Sequence, residues 1–189
     1  LSKQYRSAEA LKLARDALAS ARKSLPANHP TLLQAVAMLA TLYDIRTRYV
    51  EATPLYSEIL RSLQQTVGDY HQHTLEAMNK LARVYAAQQL YSKAEALFVD
   101  SARNAARSLG ARHPLTYVYQ HELGSFYVSR RELEKANAIL RPAYAALSQL
   151  LGSTHPSTLA VISELAKIRI EQGQYDGLEP IFSQTYSTY

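Results

Sequence analysis

Between Pro30 and about Arg46 the apolar residues Leu33, Val36, Leu39, Ala40 and Tyr43 fall three and four positions apart, the spacing of one face of an amphipathic helix. A short break near Arg48 follows, and a matching one near Gln89 precedes Ala94, Leu97, Phe98, Ala102 and Ala105, which run helically toward Leu109-Gly110. Pro30, Pro114 and Pro156 suit a first helical turn, where a missing N–H is no loss, and the histidine before each serves as a cap. Gly68, Gly110 and Gly152 are placed to supply the left-handed residue that stops a helix. No run alternates with period two, so an all-α chain without strands is expected.

The helical pattern repeats. His29, His71, His113 and His155 recur every 42 residues, and other columns keep the same phase. Leu39-Ala40 aligns with Leu81-Ala82, Leu123-Gly124 and Leu165-Ala166, and Tyr43 aligns with Tyr85 and Tyr127. Tyr49, Tyr91, Leu133 and Tyr175 come next, then Ala52, Ala94 and Ala136, with Leu178 breaking that column, then Tyr56, Phe98, Leu140 and Phe182. A fixed period of this length marks a solenoid, in which each unit buries its apolar face only against its neighbours. Small residues are expected where two helices cross closely and large ones between successive hairpins. The expected layout is a single array over residues 1–189: an unpaired second helix in 1–25, then hairpins at 29–70, 71–112, 113–154 and 155–189. That makes about nine helices, the last running from about Asp176 to the chain end.

Leu-Ala-x-x-Tyr, then Tyr-x-x-Ala and an aromatic four residues later, resembles the tetratricopeptide repeat over essentially the whole chain. The standard repeat is roughly 34 residues long. The longer period here, with His155-Pro156-Ser157-Thr158-Leu159 and a Leu-Gly at the end of the second helix, is similar to the kinesin light chain subclass. HEAT and armadillo repeats share the length range but lack this Ala, Tyr and Phe spacing. The resemblance implies a right-handed α-solenoid of antiparallel helical hairpins, a superhelix whose first (A) helices line a concave groove for a protein or peptide. The positions similar to groove positions are Gln34, Ala37, Thr41, Asp44 and Ile45 in the first hairpin, and Glu76, Asn79, Arg83, Ala86 and Ala87 in the second. In the third they are Val118, His121, Ser125, Val128 and Ser129, and in the fourth Ala160, Ser163, Lys167, Ile170 and Glu171. Asn79 sits where such grooves carry an asparagine that bonds a peptide backbone; the matching positions hold Ala37, His121 and Ser163.

Composition narrows the function classes. The apolar fraction is 47% and the charged fraction 20%, ordinary for a folded chain and far from the regime of disorder. No apolar run is long enough for a membrane span and no signal peptide opens the chain, so a soluble, cytoplasmic protein is expected. Since it starts on Leu1 inside a helical pattern, it is expected to be a piece of a longer one. Without cysteine there is no disulfide and no thiol nucleophile. Of the net charge of +5, most lies in residues 1–25, where Lys3, Arg6, Lys12, Arg15, Arg22 and Lys23 face only Glu9 and Asp16. A basic nucleic-acid or membrane contact through that segment is a weaker alternative.

The four periodic histidines are too far apart to share one ion, so capping is expected rather than metal binding. His71-x-His73 lacks a third ligand. No nucleophile with a base, carboxylate pair or phosphate loop is present, and Glu122 and Glu164, one period apart, suggest a repeated surface role rather than catalysis. No enzyme activity, metal or cofactor is expected. His113, Tyr117 and His121 form a stripe on one helix, Tyr117 and Tyr119 suggest a tyrosine-lined patch, and Arg83 and Lys167 could offer charge to a partner carboxylate. The expected partner is a protein or peptide ligand; self-association into a homo-oligomer through exposed end faces is the alternative.

Overall fold

Each of the four repeated histidines starts a helix in the same way. Nδ1 of His29, His71, His113 and His155 accepts a hydrogen bond from the backbone N–H two residues on, at 3.1–3.3 Å, satisfying one of the orphan donors of the first turn. The computed structural model of the protein describes residues 2–176, with side chains from Glu9 onward. Among these it has eight α-helices and no strand: α1 (Ser2–Ser24), α2 (Pro30–Ile45), α3 (Tyr49–Thr66), α4 (Gln72–Ala87), α5 (Tyr91–Leu109), α6 (Pro114–Ser129), α7 (Leu133–Leu151) and α8 (Pro156–Glu171). The expected ninth helix, with Leu178 and Phe182, falls outside the described residues, as do the side chains of Lys3, Tyr5 and Arg6.

The chain groups into two compact units, Leu1–Leu97 and Phe98–Tyr189, with the boundary inside α5. In the first, α1 packs on α2, α2 on α3 and α3 on α4; in the second, α6 packs on α7 and α8, and α7 on α8. The repeat columns form the core of both. In the first unit Ala40, Ala52, Ala82 and Ala94 are fully enclosed and Tyr43 and Tyr56 are buried; in the second Ala136 and Leu140 are fully enclosed and Phe126 and Tyr127 are buried. Gln88 links two helices of the first unit by donating Nε2 to Thr53 Oγ1 at 2.7 Å. Before α3, the Arg48 guanidinium hydrogen-bonds Glu51 and holds its carboxyl below the usual carboxylate range.

The link from one hairpin to the next uses a glycine and a threonine together. Gly68 and Gly110 take positive φ, and their carbonyls accept from the buried hydroxyls of Thr74 and Thr116, each at 2.7 Å. Gly152 reaches φ 91°, ψ 161°, a region open essentially to glycine alone.

The turn inside each hairpin needs positive φ as well, but glycine fills it only once. Thr47 (φ 55°), Gln89 (φ 60°), Arg131 (φ 59°) and Gly173 (φ 72°) occupy equivalent places. A β-branched side chain there is strained by about 1–2 kcal/mol, and glycine returns part of that through its looser unfolded chain. Thr47→Gly is therefore expected to stabilise the first unit by about 0.5–1 kcal/mol, seen as a rise of a few degrees in thermal unfolding. No change or a fall in melting temperature would show that the turn is not strained.

Candidate functional site

In the first unit, α2 and α4 present the expected A-helix positions side by side. Gln34, Thr41 and Ile45 are exposed on α2, with Ala37 and Asp44 half-buried between them. On α4, Glu76, Arg83 and Ala87 are exposed and Ala86 is half-buried. A cavity of about 380 Å³ opens between the two helices, with α3 as its floor. Gln34 and Ala37 enter it from one side and Glu76, Ala77 and Lys80 from the other, over Tyr56, Ile59 and Leu63.

The cavity is apolar below and charged above. The Tyr56 hydroxyl donates to Asp44 Oδ2 and also lies 3.5 Å from Thr41 Oγ1. Burial pushes the Tyr56 phenol up from its ordinary value, and the neighbouring Asp44 charge adds to this. Glu76 is matched by Lys80 at 3.4 Å. Arg83 makes no hydrogen bond or ion pair with any described residue, which leaves its guanidinium open to a partner.

Asn79 sits differently from its exposed neighbours. It is 7% exposed, its Nδ2 donates to Leu75 O at 2.9 Å on its own helix, and its Oδ1 accepts nothing among the described residues. One buried valence is thus open, while the amide donor is committed to the α4 backbone.

In the second unit α6 and α8 pack against each other directly. A cavity of about 520 Å³ between them gathers Ser125, Val128 and Ser129 of α6 with Lys167, Ile170 and Glu171 of α8. Arg131 and Glu164 complete its lining. Val118, His121, Ala160 and Ser163 are half-buried and lie away from it. Ser163 returns its hydroxyl to Leu159 O at 2.8 Å, and the His121 Nε2 is buried without a hydrogen-bond partner.

Four expectations need correction. Lys167 is not an unpaired charge: its Nζ is 2.7 Å from Glu164 Oε1, a carboxylate that a partner would have to share or displace. Glu164 has no surface role shared with Glu122, because α8 turns it inward to 7% exposure. The tyrosine patch does not form, since Tyr119 is in the core and the Tyr117 hydroxyl donates to Ala111 O at 2.9 Å. The charge of the basic first helix is offset at one position within the chain, where Arg22 pairs with Glu58, and Arg15 is engaged by donating Nε to Tyr43 Oη.

Sequence reading missed Glu164 and Arg131 as cavity residues. A Glu three positions before a Lys on one helix was visible as a pair, but only packing reveals that the carboxylate is enclosed. Among the described residues no three His, Asp or Glu side chains converge on a metal position, and no helix is long and apolar enough to cross a membrane.

Two tetratricopeptide repeat family models match the chain, one over residues 34–107 and one over residues 1–31, together more than half of it. No curated protein shows a significant match. Among solved structures, nearly identical TPR-like repeats of kinesin light chain type from Podosopora anserina are 27% identical, with 98% of this chain and 87% of that one covered and a TM-score of 0.81. A second structure of those repeats gives 27% identity, 98% and 88% coverage and a TM-score of 0.79. BtubC (BKLC) from P. vanneervenii shares the fold at 16% identity and a TM-score of 0.69, over 95% of this chain and 69% of its own. The columns of Leu, Ala and Tyr, the helix order and these likenesses agree: the chain belongs to the tetratricopeptide repeat family, in its kinesin light chain-like form.

Proposed function

We propose that this interaction module holds a protein or peptide segment against the A-helix faces, along α2 and α4 in the first unit and α6 and α8 in the second. The observation that carries the reading is the cavity between α6 and α8, where four of the positions that the family resemblance implies for the groove, Ser125, Val128, Lys167 and Ile170, line one space. The cavity between α2 and α4 supports it, with Gln34 and Glu76 on opposite walls. Preformed cavities on rigid helices leave little ordering cost on this side of the complex, so modest contacts within a unit give useful affinity. The open guanidinium of Arg83 and the exposed side chain of Ile170 supply one charged and one apolar contact.

The test is capture of a binder from native extract, followed by its affinity for purified variants. Arg83→Ala/Ile170→Ala should weaken binding roughly tenfold or more, while Arg61→Glu on the exposed side of α3 should leave it unchanged. Loss with Arg61→Glu and none with the double variant would place the partner elsewhere and overturn the proposal.

A further inference from the structure

The cavity between α6 and α8 has an acidic floor that the repeat pattern does not require. At the equivalent places of the earlier hairpins stand Met38 and Lys80, both exposed, and Glu122, half-buried; only Glu164 is enclosed. An enclosed carboxylate is costly unless its oxygens are satisfied. Here Oε1 accepts from Lys167, while Oε2 makes no hydrogen bond with any described residue. The Ser125 hydroxyl, on the facing helix, likewise makes no hydrogen bond with any described residue. Glu164 Oε2 and the Ser125 hydroxyl, which can accept as well as donate, therefore line one cavity with no hydrogen-bond partner among the described residues.

The cations nearby already have carboxylate partners. Lys167 is spent on Glu164 and Arg131 on Glu171. A partner carboxylate entering the space would displace one of these pairs and meet Glu164 and Glu171. A cationic donor would instead complete the open valences, and the Lys167 side chain, 60% exposed, can swing into solvent to admit it.

We infer that this cavity takes the basic side chain of a partner peptide, an arginine guanidinium or a lysine ammonium, with Glu164 Oε2 and Ser125 Oγ as its acceptors. Val128 and Ile170 provide apolar walls for the methylene stem. This assignment rests on the A-helix reading above and names the chemistry its second unit selects.

The probe is a blocked alanine pentapeptide with a central arginine, titrated into the isotope-labelled chain and followed by amide NMR signals. Signals of α6 and α8 around Ser125, Val128, Glu164 and Ile170 should move. Replacing the arginine with citrulline, or Glu164 with Gln, should each weaken binding roughly tenfold, the scale of one charge-assisted hydrogen bond. Lys167→Met should strengthen it severalfold by removing the internal competitor, the opposite of what a carboxylate site would show. Tighter binding of the glutamate analogue at the same signals, loss of binding in Lys167→Met, or no shift at about 10 mM peptide, a scale weaker than millimolar binding, would each overturn the inference. If partner affinity still falls in Arg83→Ala/Ile170→Ala, such a failure leaves the A-helix reading standing.

Discussion

Phe126→Ala is expected to destabilise the second unit by about 3–5 kcal/mol, the usual range for a buried phenylalanine. Phe126 is 6% exposed and joins two neighbours at once: its ring centroid lies 5.3 Å from that of Phe98 and 5.7 Å from that of Tyr127. Lys135 Nζ lies 4.9 Å from the Tyr127 ring centroid on the other side. Truncation thus removes a large apolar area and two tilted ring contacts, each worth about 0.5–1.5 kcal/mol beyond burial. Phe126→Leu keeps most of the volume and is expected to lose less than half as much. Chemical denaturation followed by circular dichroism measures both; equal losses would mean that volume, not the aromatic cluster, is irrelevant to the effect.

Gly124→Ala, two residues away on the same helix, is expected to cost about 2–3 kcal/mol by crowding rather than by loss. A Cβ built at Gly124 would stand 2.4 Å from Leu140 Cδ2 and 2.5 Å from its Cγ. Leu140 is fully enclosed, and because its branch point is among the atoms struck, a rotation of the side-chain tip does not relieve the contact. The aligned columns explain the choice of residue: Ala40 and Ala82 stand where Gly124 does, and Tyr56 and Phe98 stand where Leu140 does. A double-mutant cycle gives a sharp check. Leu140→Ala alone should cost about 2–5 kcal/mol, yet adding it to Gly124→Ala should cost much less than the sum, because the new methyl occupies vacated space. Additive effects would show that the two residues do not share that space.

The helices were legible because their signals are local or periodic. Pro30, Pro114 and Pro156 mark helix starts that the structure keeps, and the histidine caps follow from the residue before each. Less legible were the features decided by a neighbouring helix. Nothing in the local sequence distinguishes Tyr119, which turns into the core, from Tyr117, which turns out to a backbone carbonyl. Glu122 and Glu164 share a register, but only α8 encloses its glutamate. The turns at Thr47, Gln89 and Arg131 carried no glycine to announce positive φ. Asn79 was placed on the A-helix face by homology of position, and its committed amide is a matter of packing that spacing does not encode.

The histidine caps also govern which ions the chain tolerates. Because Nδ1 is the acceptor at all four helix starts, the proton of each neutral ring is on Nε2. A transition metal binding Nε2 would move that proton to Nδ1, where it would point at a backbone N–H already facing it. Coordination and helix initiation therefore compete for one lone pair, and the histidines best placed by sequence to look like a metal-binding ladder are the ones that folding has made poor ligands.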